Sequence, residues 1–292
     1  MMYSLLCAFL WATTGIFVKS VQNIPIALIL FSRFVIAGIF IFILDQSRKR
    51  PTPLTSHFAN KLKLQLRLAS LMVLYYLTAT YSFIYAPVAL ATLLMSLSPC
   101  VAIIYKAIQR EKISFIEISG FLLAFLGVAF YIYPSLNIAD NQPRIMLWGC
   151  LLAFSAAIFK AINAQLIWNN KAILTNQDLN QVNKYTYVIA IILTSFSLFK
   201  IDQHLTFSTL NFSLLLLLGI FATALPSILN NIASSKIDPV ANTVIGMLTP
   251  LMAGFLAWIF IGEKLTLWSI FSLLISLSGV LLIVLKGNKK LA

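Results

Sequence analysis

The sequence holds 292 residues, of which 60% are hydrophobic and 10% charged, with a mean hydropathy of +0.93. A soluble domain carries about 45–50% apolar and about 25% charged residues, so one aqueous core cannot hide this much apolar surface and lipid must solvate the rest. The net charge of +13 lies mainly in short segments between apolar runs, the placement of topology signals, without the aromatic–basic interleaving of a nucleic-acid surface.

A membrane span needs about 20 mostly apolar residues. In chain order the runs that meet this are 2–20, 25–44, 66–85, 88–108, 114–134, 145–167, 184–200, 212–233, 240–261 and 266–286. They predict an all-α integral membrane protein with ten transmembrane helices. Residues 1–18 have no basic leader and Lys19 follows the apolar stretch, so the first run reads as a retained span rather than a cleaved signal. Linkers are short except 45–65 and 168–183, and no soluble domain fits between the spans.

Lysine and arginine placement sets the orientation. With the amino terminus inside, fifteen fall on the cytoplasmic side, and Lys19, Arg144, Lys200 and Lys264 fall opposite. Arg33 and Lys160 remain within spans. The expectation is a multi-pass inner-membrane protein with both termini cytoplasmic. Cys7, Cys100 and Cys150 lie singly in apolar runs, and His57 and His204 are far apart, so no metal site or cofactor is expected.

An internal repeat organises these spans. Residues 86–134 align on 238–286 at an offset of 152, pairing Pro87 with Pro239, Val88 with Val240, Met95 with Met247, Glu111 with Glu263 and Gly127 with Gly279. Pro99 and Pro250 also correspond, with a slip of one residue. The boundary falls between 1–137 and 138–292. Five spans is an odd number, so the second half enters the membrane inverted relative to the first. Inverted repeats recur where two halves rock about a midplane site.

The strings LLCAFLWATTGIFVK (5–19), SRF (32–34), SLSPCVAIIYKAIQREKISFIEISGFLLAFLGV (96–128) and LTPLMAGFLAWIFIGEKLTLWSIFSLLISLSGV (248–280) carry a resemblance. A proline stands twelve or thirteen positions before Glu-Lys, and a glycine-bearing helix follows. The chain resembles the ten-span EamA-type branch of the drug/metabolite transporter superfamily. Ser272, where the first half has Gly120, and Lys160, in a region usually neutral in the family, depart from the pattern. The resemblance implies a secondary transporter of small metabolites, not an enzyme, with export the favoured direction.

Arg33 lies about eight residues inside its span, roughly 12 Å deep. A charge near the midplane costs from about 2.5 kcal/mol upward unless paired or hydrated. Arg33 either anchors a substrate carboxylate or phosphate, or caps carbonyls between helices; the resemblance, in which arginine is common here, leans toward the second. Lys160, opposite Gly15 in the repeat, is the stronger candidate for selectivity. Trp11 is too deep for a headgroup belt and is expected to line a cavity with Thr14, Tyr75, Tyr81, Asn163, Asn230 and Asn242. Pro99, Pro226 and Pro250 are candidate kinks or hinges. Glu111 and Glu263 read as solvated turns and Glu117 as interfacial.

No acidic residue sits at mid-membrane and no phosphate-binding loop is present, which argues against cation export by carboxylate exchange and against ATP hydrolysis. The expected cargo is an amino acid or related carboxylate-bearing compound. A nucleotide-like metabolite, such as S-adenosylmethionine or a nucleotide sugar, taken up or exchanged, is the alternative. More distant alternatives are a non-transporting assembly protein and a membrane-embedded enzyme. Expected partners are membrane lipids and the small-molecule substrate, with the protein a monomer or weak homodimer.

Overall fold

In the computed structural model the residues described are 2–46, 58–108, 110, 112–136, 143–170, 172–198, 208–236 and 245–288. Lipid offers backbone amides no hydrogen-bond partners, so a spanning chain must satisfy them within helices. The described elements are accordingly helical: α1 (Met2–Ala12), α2 (Thr14–Ser20), α3 (Ile26–Gln46), α4 (Phe58–Tyr85), α5 (Val88–Ser96), α6 (Ser98–Ile108) and α7 (Phe115–Leu136). They continue with α8 (Pro143–Asn169), α9 (Asn176–Leu198), α10 (Thr209–Gly219), a π turn (Ile220–Ala224), α11 (Leu225–Lys236), α12 (Leu248–Ile261) and α13 (Leu267–Asn288).

Seven segments among the described residues are long and apolar enough to cross a membrane: 2–20, 26–44, 61–85, 115–134, 144–167, 209–230 and 267–285. The apolar helices at 88–101 and 248–261 are shorter. The seventh expected span, 184–200, overlaps α9, which begins earlier, at Asn176, and is not among these seven. Its polar first turns keep it out of the apolar set. Thr175 and Asp178 start it by a reciprocal cap: the Thr175 N–H donates to Asp178 Oδ2 at 2.8 Å, and the Asp178 N–H to Thr175 Oγ1 at 3.3 Å. The third expected span likewise begins early, at Phe58, because Lys61 and Gln65 reach Asp178 at 2.8 and 3.0 Å.

Apolar bulk faces outward. Phe42, Trp148, Phe196 and Phe260 are each at least 60% exposed, while alanines 12, 37, 124, 153, 156, 222, 224, 253 and 257 have no exposed surface. That inversion suits lipid, where close backbone approach at small residues holds helices together. α7 lies along α13, α3 along α9 and α10, α4 along α8 and α9, α5 along α8 and α12, and α1 along α11 and α12. α7 and α13 run antiparallel, since Gly120 meets Gly279 and Ile283 while Gly127 meets Ser272 and Ser276.

Three expected spans are interrupted: α1 breaks from α2 at Thr13, α5 from α6 at Leu97, and α10 from α11 at the π turn. A further break at Met247 precedes α12. Pro99, Pro226 and Pro250 all fall within the first turn after an interruption, where a missing N–H costs nothing.

One expectation for the carboxylates is corrected. Glu263 is not a solvated turn. Gly262, at φ +67°, turns the chain so that Glu263 accepts from Val88 N–H at 2.9 Å and pairs with Lys19. Glu117 sits at a helix end, as expected, yet is only 1% exposed, its carboxylate capping Ser114 N–H at 2.8 Å. Glu111 lies outside the described residues.

Candidate functional site

Two buried cationic centres occupy the bundle. On α8, Lys160 places its ammonium 4.8 Å from the centre of the Trp11 ring on α1. An ammonium over an indole face is held by the ring's quadrupole, worth about 0.5–2 kcal/mol. The Trp11 Nε1–H is buried without a hydrogen-bond partner, and Lys160 has no ion pair or hydrogen bond among the described residues. Lys160 itself is half-buried. Cys7, one turn before Trp11, lies within electrostatic reach of Lys160, and its thiol donates to Pro226 O at 3.3 Å.

Arg33 on α3 is built differently. It is 1% exposed, with Nε donating to Thr223 Oγ1 at 2.6 Å, Nη1 to Thr80 Oγ1 at 2.8 Å and Nη2 to Ala222 O at 3.4 Å. Both hydroxyls spend their protons elsewhere, Thr223 on Leu218 O and Thr80 on Tyr76 O, each at 2.7 Å, so both turn lone pairs toward the guanidinium. The Tyr76 ring lies 5.0 Å from the guanidinium carbon. The π turn is what brings Thr223 and the Ala222 carbonyl to this point. Arg33 therefore ties α3 to α4 and to the π turn, through two hydroxyls and one carbonyl.

The other expected residues divide. Thr14 is buried at the start of α2, just past the break, and Tyr75 is buried with its ring 5.2 Å from Tyr76. Asn163, one turn beyond Lys160, donates to Leu68 O at 3.0 Å and so binds α8 to α4. Tyr81 and Asn230 are half-buried on α4 and α11, and no described contact brings either to Lys160. Asn242 lies outside the described residues. Sequence reasoning did not single out Thr80, Thr223, Tyr187 or Ser227. Tyr187 packs on Phe34 and meets Ser227 at 3.0 Å, and hydroxyls of such common types gave no signal before the helices were packed.

A bundle of long helices, apolar outside and small or polar within, with interior cations that have no carboxylate partner among the described residues, is a multi-spanning helical membrane protein with a charged interior. The model of the EamA-like transporter family matches residues 1–133 and again 147–285, and the chain belongs to that family, within the drug/metabolite transporter superfamily. No curated protein matches the chain. A solved crystal structure resembles it with a TM-score of 0.67 at 13% identity, covering 100% of this chain and 98% of the other; that likeness concerns the fold.

Proposed function

We propose that the protein is a secondary transporter working by alternating access, with ten spans arranged as two inverted five-helix halves, 1–137 and 138–292. It moves amino acids or related carboxylate-bearing metabolites outward across the inner membrane, with both termini cytoplasmic. The helix pairing supports the two-fold reading. α3 with α9 and α7 with α13 each join an element to its counterpart, α5 with α12 joins the expected fourth span to the ninth, and α4 against α8 is matched by α1 against α11. Repeated caps support it too: Ser114 with Glu117 opens α7, and Thr266 with Ser269 opens α13 at the same offset.

The observation that carries the substrate class is Lys160. An ammonium deep in the bundle with only a ring face for company is under-compensated, and an incoming carboxylate supplies the missing charge. Arg33 is already satisfied by Thr80, Thr223 and Ala222, which leaves Lys160 as the cation for the cargo.

The test is release of a labelled metabolite mixture from loaded proteoliposomes. Carboxylate-bearing species are expected to move faster than from protein-free vesicles, and Lys160→Gln to abolish that preference. Unchanged transport and affinity in Lys160→Gln would remove Lys160 from the site. Preferred movement of nucleotide-like species would overturn the substrate class.

A further inference from the structure

On the outer face of the bundle α4 and α8 leave an open groove of about 720 Å³ that takes no part in either buried centre. Its walls are Leu62, Leu66 and Leu71 of α4 and Leu166 of α8, and its polar groups are Lys63, Arg67 and Ser70. At spacings of four and three residues, Lys63, Arg67 and Ser70 form one row along α4, about 10 Å long at 1.5 Å per residue. All three are exposed, and neither cation has an ion pair or hydrogen bond among the described residues. The nearby carboxylate is already engaged: Asp178 is held by Lys61, Gln65 and Thr175.

We propose that this groove binds an anionic phospholipid. The row starts where α4 enters its membrane-length segment, 61–85, so Lys63 and Arg67 lie at headgroup depth and Ser70 one turn deeper. Arg67 offers a planar fork for phosphate oxygens and Lys63 a second positive charge. Ser70 meets the glycerol ester, and the leucine walls take the acyl chain. The apolar walls distinguish the site from one for a free anion, which would gain nothing from four leucines. Basic pockets between spanning helices are where acidic headgroups are retained. The proposal is independent of cargo and direction of transport.

The experiment is native mass spectrometry of the full chain in detergent, titrated separately with phosphatidylglycerol, phosphatidylcholine and inorganic phosphate. Phosphatidylglycerol is expected to bind more tightly than phosphatidylcholine by about fivefold per cation, and Lys63→Gln/Arg67→Gln to erase the difference. Leu66→Trp fills the groove without touching either cation and is expected to weaken both lipids. Lys264→Gln, an exposed cation on the α12–α13 turn, is expected to change nothing. Equal binding of the two lipids by the unaltered protein would overturn the proposal, as would an unaffected double variant. Inorganic phosphate competing as well as the lipid would reduce the groove to an anion site.

Discussion

The hydroxyl of Ser276 on α13 donates to the carbonyl of Ala124 on α7 at 2.8 Å, and the two residues are 152 positions apart, the offset of the internal repeat. A residue touching its own counterpart on an antiparallel helix marks the line about which the two helices are related. Around it the contacts are reciprocal. Gly120 meets Gly279, and Gly127 meets Ser272, which stands at the position of Gly120 in the second half. A Cβ at Gly127 would come within 2.4 Å of the Ser276 amide, and one at Gly279 within 2.4 Å of the Ala124 amide.

Substituting either glycine should therefore separate the helices. Gly127→Val or Gly279→Val is expected to cost about 1–3 kcal/mol or more, because backbone cannot move aside as a side chain would. Ser276→Ala, which removes one interhelical bond, is expected to cost only about 0.6 kcal/mol. Thermal unfolding in detergent measures both, and equal effects would contradict this account of the contact.

Arg33 and Lys160 should respond oppositely to conservative change. Arg33→Lys loses the fork that reaches Thr80, Thr223 and Ala222 together, leaving buried acceptors worth about 1–3 kcal/mol unsatisfied. Its melting temperature is expected to fall. Lys160→Gln removes a charge that no described residue pairs, so its melting temperature is expected to hold while KM for anionic cargo rises. A melting temperature lowered only in Lys160→Gln would reverse the two roles.

Glu263 joins three elements, α2 through Lys19, α5 through the Val88 N–H, and its own turn. Glu263→Ala strips a helix start of its cap and is expected to cost about 1–2 kcal/mol. Lys19→Ala breaks only the ion pair, which still reaches solvent, and is expected to cost about 1 kcal/mol. A double-mutant cycle by thermal unfolding separates the terms.

Asp178 gives the pH dependence. Burial would raise its pKa, but the Lys61 ammonium and the hydroxyl and N–H of Thr175 outweigh that and hold the carboxyl below the ordinary value of 3.8. With the folded value depressed, its contribution is complete above the ordinary value and disappears as pH falls through the folded one. The melting temperature of the native protein minus that of Asp178→Asn is expected to stay constant from neutral pH down to the ordinary carboxylate range, then shrink. A difference that grew on acidification would contradict the sign.

The sequence alone determined the solvent, the helical class, the repeat and its offset, and the two cations at depth, because hydropathy is a sum over neighbours in the chain. It marked Pro99, Pro226 and Pro250 as sites of interruption for the same local reason. Trp11 and Lys160 were both named, but not as partners. Only tertiary structure decided that Lys160 rests on Trp11, that Arg33 finds Thr223 and Thr80, and that Glu263 leaves its turn for Lys19 and Val88. In an apolar medium a polar group is fixed by whichever partner the packing of other helices brings within 3 Å or so, and that choice depends on contacts between residues as far apart as Lys19 and Glu263.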